Sequence, residues 1–235
     1  MSATDRQRRA RRRTAMQGPR ADDPRVVRSR AAVVDAARKL FLSQGYSGTT
    51  MEEIAALAGL TKRTVYNNYG DKDALFTQII ADTFSFVESF VHGLDEEFAL
   101  GVTASNLRDT LDDLGRRLAL TILRPEVIAL RRLLIGEAQT FPGLAAEYFD
   151  RAPGQVMKAL ASGFENLSRR RLLKIDDADR AAAQFAYLIA GEPLDRAVLV
   201  GSLPTKEHVI ACAREGVETF LTRYGVARGG HGRRS

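Results

Sequence analysis

Cysteine is almost absent from this 235-residue chain: Cys212 stands alone. A single thiol cannot close an internal disulfide, and it leaves no cysteine cluster for a structural zinc or iron–sulfur centre. Long apolar runs are missing as well. The longest stretch free of acidic and basic side chains is the 12 residues from Leu40 to Met51, and glycine, serine and threonine interrupt it. A membrane-spanning helix takes about 20 predominantly apolar residues, so no span and no membrane partner are expected. The arginine-rich start is not followed by an apolar segment, which argues against a secretory signal and for a cytoplasmic protein. The signatures of common catalytic sites are lacking too. There is no Walker-type glycine loop, no dinucleotide fingerprint and no helix with paired metal-binding histidines. Acid pairs such as Asp112-Asp113 and Asp176-Asp177 read as solvated helix ends. Neither catalysis nor a cofactor is expected.

What is present is charge, unevenly spread. Residues 1–25 hold eight arginines against three aspartates, and residues 26–72 hold seven basic groups against four acidic. Residues 73–227 reverse the balance, with 17 basic against 22 acidic, and three arginines follow from Arg228. Such a basic front end favours a polyanion, because Lys and Arg that neutralise phosphates release condensed counterions. Residues 1–24, with their dense run from Arg6 to Arg13 and breakers at Gly18-Pro19 and Pro24, read as a disordered arm. The last residues, 228–235, read as a basic tail.

From Val26 the pattern becomes helical. Val33, Ala37, Leu40 and Phe41 fall at steps of three and four, and Gly45 follows as a helix-ending glycine with Tyr46 closing the cap. Thr50-Met-Glu-Glu53 has the form of a capping box, opening a short helix with Met51, Ile54, Ala55 and Ala58 on one face. Gly59-Leu60-Thr61 makes the turn into a second short helix, Lys62–Tyr69. Gly70-Asp71 then opens a longer one, expected from Asp71 to about Phe90, with Leu75, Phe76, Ile79, Ile80, Thr83, Phe84 and Val87 in register. Further helices are expected at about 104–123, 125–140, 143–151, 154–172, 177–191 and 205–223, with Gly and Pro between them. No stretch alternates as a strand does. The fold class is all-α: an N-terminal three-helix helix-turn-helix domain over residues 25–88, linked through a long helix to a second helical domain over residues 89–227.

Two short helices joined by a tight glycine turn, with longer helices before and after, form a helix-turn-helix. In the second, Val65 and Tyr69 can face the core, leaving Lys62, Arg63, Thr64, Tyr66, Asn67 and Asn68 to face outward. Arg and Lys suit guanine edges and phosphates, Asn suits adenine, and hydroxyls suit phosphate oxygens. The helix carries no acidic residue to repel DNA.

The segment from Thr49 to Phe76, with its Ile-Ala, Ala-Gly, Thr, Val-Tyr, aromatic, Lys and Leu pattern, resembles the DNA-binding segment of the TetR family of transcriptional regulators. The resemblance implies a homodimeric repressor whose helical C-terminal domain binds a small molecule. It implies that Thr61 caps the recognition helix and meets the DNA backbone, that Lys62, Arg63 and Thr64 approach bases, and that Tyr66 and Lys72 meet phosphates. Thr50, Asn67 and Asn68 complete the expected DNA-binding set. Arg63 stands where many members have a small residue, and Asn68-Tyr69 replaces a more usual pair, so the operator is not legible. The stretch Ala129–Leu144, with its Arg, Glu-Ala and Phe-Pro, is similar to the C-terminal half of the AefR-type subgroup.

The partners that follow are double-stranded DNA with a near-palindromic operator, a second copy of the chain, and an effector for which an apolar or aromatic molecule is allowed. Pocket candidates are Phe90, Phe98, Leu118, Ile122 and Leu134, with Phe141, Tyr148, Phe149, Phe164 and Tyr187. The last two long helices, about 177–200 and 205–223, are expected to form a four-helix dimer interface. Phe185, Leu188, Ile189, Val209, Cys212 and Phe220 supply its apolar faces. His208, Cys212 and Glu215 lie at i, i+4 and i+7, but only His92 and His231 remain as further histidines, so they are read as structural and no metal is expected. An activator of the same family, and a non-specific DNA binder driven by the arm, are the alternatives.

Overall fold

In the computed structural model the described residues are 24–226, except for the side chains at 85, 86, 95–97, 99 and 100. The arm through residue 23, the basic tail and His231 lie outside them. Eleven helices occupy the described chain: α1 (Pro24–Gln44), α2 (Met51–Leu57), α3 (Lys62–Tyr69), α4 (Lys72–Ala81), α5 (Phe84–Leu100), α6 (Leu107–Ile122), α7 (Pro125–Gly136), α8 (Pro142–Arg151), α9 (Pro153–Arg169), α10 (Ala178–Val200) and α11 (Lys206–Tyr224). The protein is all-α. Three of the helices, α7, α8 and α9, open on proline, whose fixed φ suits the first helical turn and whose missing N–H costs nothing there. Side-chain caps open others: Asp177 accepts from the Arg180 N–H, and Thr205 from the His208 N–H.

The helix expected from Asp71 to Phe90 is two helices. The chain leaves helical hydrogen bonding at Asp82-Thr83, where the Thr83 hydroxyl donates to the Ile80 carbonyl at 2.6 Å. The Thr83 N–H bonds to the same carbonyl at 3.1 Å, so a tighter turn with bonds to the third residue back replaces the helical ladder there. Of the two extents expected for the helix that starts near residue 177, the longer is found: α10 runs through Pro193 to Val200. Pro193 removes one backbone donor, but it is buried, as are Ile189 and Ala197 on either side, and packing holds the helix together.

Two compact units divide between Ile79 and Ile80. In the first, α1 packs on α2 and α2 on α3. Its core is Val33, Ala37, Phe41, Tyr46, Ile54, Val65, Leu75 and Phe76, with Phe41, Tyr46 and Phe76 in mutual ring contact at centroid distances of 5.1–5.7 Å. In the second, α11 packs against α10 and α6, and α9 packs against α5 and α10. Phe164 lies at the centre of that core, 5.8 Å from Phe98, 5.3 Å from Phe185 and 4.9 Å from Phe220. Arg151, at the end of α8, places its guanidinium 4.1 Å over the Phe84 ring and reaches Glu88 at 3.5 Å, which ties α8 to the first turn of α5.

Four of the six residues expected at a dimer interface are corrected by this packing. Phe185, Ile189, Val209 and Phe220 are at most 2% exposed and sit in the second unit's own core. Apolar side chains already covered by their own chain have no surface left for a partner. Leu188 is exposed and Cys212 half-buried.

Candidate nucleic-acid interface

The site is built from local chemistry. Thr50 is extended and caps α2, its hydroxyl accepting from the Glu53 N–H while the Glu53 carboxylate accepts from the Thr50 N–H at 2.9 Å. Met51, Ile54 and Ala55 turn inward, which fixes the rotation of α2. Gly59, at φ +68°, makes the turn in a backbone region that favours glycine, and the Leu60 N–H returns to the Ala55 carbonyl at 2.9 Å. Thr61 then caps α3 by accepting from the Thr64 N–H at 3.3 Å. Gly70, at φ +78°, ends α3 after two turns.

Only Val65 of α3 is fully buried. Two polar groups nearer the C-terminus bind α1: the Asn68 amide donates to the Ser29 hydroxyl at 3.3 Å, and the Tyr69 hydroxyl donates to the Arg30 carbonyl at 3.1 Å. Asn68, expected to face outward, is therefore turned toward α1, because docking the helix offers its amide a partner there. Thr61, Lys62, Arg63, Tyr66 and Asn67 are exposed, and Thr64 is half-buried with its hydroxyl 2.8 Å from that of Thr61. Exposed α3 thus presents two cations, a phenol, an amide and a hydroxyl with no carboxylate among them.

Lys72 does not stand free at the start of α4. Its ammonium donates to the carbonyls of Tyr46 and Thr49, each at 2.9 Å, and lies 4.2 Å over the Tyr46 ring. The residue expected to meet a phosphate also closes the turn between α1 and α2. Thr50 is likewise engaged in its capping box. The residue that sequence reasoning passed over is Glu52. On the exposed first turn of α2, it forms an ion pair with Lys62, which holds the Glu52 carboxyl below its ordinary range and the Lys62 ammonium above its own. The signal was weak: a carboxylate and a lysine ten residues apart become neighbours only when the glycine turn folds one helix onto the other.

In the second unit, Phe98, Leu118 and Phe164 share one core cluster, and Phe90 and Ile122 pack against it. Leu134 and Tyr148 are buried outside that cluster, Phe141 is half-buried, and Phe149 and Tyr187 are exposed. His208 Nε2 lies 3.6 Å from both Cys212 Sγ and Glu192 Oε2. Burial, then the Glu192 and Glu215 carboxylates, push the Cys212 thiol up. Among the described residues no three His, Cys, Asp or Glu side chains assemble as a metal site, and no helix is long and apolar enough to cross a membrane.

A family model for bacterial regulatory proteins of the tetR family matches residues 33–79, and the model of the AefR-like transcriptional repressor C-terminal domain matches residues 109–226. The chain belongs to the TetR family. Among relatives of this TetR-family regulator, the HTH-type transcriptional regulator TtgR of Pseudomonas putida is 29% identical over 171 residues, covering 68% of this chain and 76% of that protein. A TetR-family regulator from Mesorhizobium loti superposes with a TM-score of 0.77 at 30% identity, covering 87% of this chain and all of the other. The flavonoid-responsive regulator FrrA superposes with a TM-score of 0.65 at 31% identity, over 85% of this chain and 98% of that one. As a TetR-family member it is a DNA-binding regulator of transcription and not an enzyme.

Proposed function

We propose that this TetR-family regulator is a cytoplasmic homodimeric repressor that leaves a near-palindromic operator when a small molecule binds its C-terminal domain. The observation that carries the DNA half is the exposed side of α3, where Lys62, Arg63, Tyr66 and Asn67 stand together and the helix itself supplies no carboxylate. In this reading Lys62, Arg63, Thr64 and Asn67 address base edges, while Thr50, Thr61, Tyr66 and the remaining donor capacity of Lys72 serve the backbone. One such helix reads only a few base pairs. A two-fold dimer sets two of them about 34–36 Å apart in successive major grooves, hence the palindrome.

For the self-partner, support comes from the apolar side chains that α10 leaves outside the core: Tyr187, Leu188 and Leu199. For the effector, it comes from the aromatic cluster around Phe164 and from the likeness to FrrA, which is flavonoid-responsive. An aromatic molecule contacting Phe90 and Ile122, the partly buried side chains at the edge of that cluster, is the chemistry proposed. Such a ligand shifts DNA affinity only by the difference in its own affinity for the two conformations.

The test is a fluorescence-anisotropy titration of the full chain with the DNA flanking its own gene, against a shuffled duplex, at two salt concentrations. Two protomers per palindrome with strong discrimination is the expected result. Equal, steeply salt-dependent binding to both duplexes overturns the sequence-specific reading.

A further inference from the structure

Lys62 opens the recognition helix, where the partial positive charge of the helix N-terminus already stands and where α3 has no acidic residue in its own first turn. A cation there, followed at once by Arg63, is a charge arrangement the helix itself disfavours. Glu52 supplies the missing carboxylate from across the glycine turn. Both side chains are more than half exposed, so the pair stands on the surface of the DNA-reading unit and is not a buried structural link. The Tyr66 ring, with Lys62 Nζ 5.5 Å from its centroid, flanks the same ammonium.

We propose that Glu52 is a specificity residue that withholds Lys62 from non-specific phosphates. This rests on the reading of α3 as the recognition helix. A non-specific complex is held almost wholly by phosphate neutralisation, and each neutralised phosphate steepens the salt dependence by about 0.9. With its ammonium already neutralised by Glu52, Lys62 contributes little to that sum. To use Lys62, a complex must separate the pair and bring the Glu52 carboxylate near DNA. An operator that offers Lys62 a base-edge acceptor at a fixed position repays this, and random sequence does not. Glu52 therefore lowers affinity for all DNA but lowers it most for the wrong DNA.

The experiment is a double-mutant cycle in the full-length protein with Glu52→Gln, Lys62→Gln and both together. Each is titrated on a shuffled duplex and on a duplex that the wild type selects from a random library, across a salt series. Glu52→Gln is expected to tighten shuffled DNA roughly three- to ten-fold near 100 mM salt and to steepen its salt slope by about 0.9. Selected DNA gains less, so discrimination falls, and the gain disappears in the Lys62→Gln background. An unchanged slope overturns the proposal. A gain that persists without Lys62 also overturns it, since Glu52 would then act directly on the phosphates. If the wild type selects no duplex at all, the recognition-helix reading fails and takes this one with it. If selection succeeds and the cycle is flat, only the role of Glu52 falls.

Discussion

The ammonium of Lys72 lies 4.2 Å over the ring of Tyr46 and donates to the Tyr46 carbonyl at 2.9 Å. The same ring packs on Phe41 and Phe76, and its hydroxyl donates to Asp73. One lysine thus fastens the start of α4 to the turn that delivers α2. Replacing Lys72 by Met keeps the stem and removes the donors, so the Thr49 carbonyl loses its bond to the ammonium and the Tyr46 carbonyl loses one of its donors while keeping the Thr49 N–H at 3.2 Å, at a cost of about 1–3 kcal/mol. Amide hydrogen exchange of the DNA-free protein checks this. Exchange across residues 46–57 is expected to quicken by about ten-fold or more, which tracks that loss. Unchanged exchange would make Lys72 a phosphate ligand only.

Gly216 on α11 lies against the backbone of α10. A Cβ there would meet the Leu188 carbonyl oxygen at 2.6 Å and the Ile189 nitrogen at 2.9 Å, and backbone cannot swing aside as a side chain can. Gly216→Ala should push α11 off α10 and cost about 1–3 kcal/mol, as overpacking does. A Tm several degrees below wild type is the expected readout. Gly93, with nothing within 4 Å of a Cβ, is the control whose alanine variant should not show this loss.

The parts that were legible in the sequence are those written in local chemistry. Thr50 with Glu53, Gly59, Thr61 and Gly70 each specify a cap or a turn within a few residues, and the structure has each in that role. The break at Asp82-Thr83 was not legible, because the apolar register from Leu75 to Val87 continues across it and no Gly or Pro marks it. The end of α10 was legible only in part: the sequence supports both a stop at Gly191 and a run to 200, and tertiary packing around Pro193 decides for the longer helix. The same limit explains Asn68 and the core residues taken for interface. Helical spacing gives an apolar or polar stripe, but which neighbour covers the stripe is a property of the folded chain. Ser29 for Asn68, and Phe164 for Phe185 and Phe220, are such neighbours.

With Phe185 and Phe220 committed to the core, the proposed self-association falls on exposed side chains. Leu188 is 41% exposed on α10 beside Tyr187. Leu188→Glu places a charge on that face without entering the core, so helix content should be unchanged. Sedimentation velocity should show the dimer giving way to monomer, and operator affinity should fall by at least about ten-fold, since two linked recognition helices become one. A dimer that survives Leu188→Glu would put the interface elsewhere.

Asp112 on α6 is a carboxyl whose ionisation the fold opposes. Its Oδ1 is buried without a hydrogen-bond partner among the described residues, and burial raises its carboxyl above the ordinary value, an effect that Arg108 and Arg214 offset only in part. A carboxyl whose folded pKa is raised contributes most below its ordinary value, near pH 4, and loses that contribution as pH rises through the folded value. At neutral pH the charged side chain is therefore destabilising. Asp112→Asn, neutral at every pH and nearly the same shape, should unfold at higher temperature than the wild type at pH 7. The difference should shrink as pH falls toward 4 and vanish below it. Thermal unfolding of both proteins across that range measures it. A wild type equal to or more stable than Asp112→Asn at pH 7 would mean that the two arginines compensate the buried charge in full.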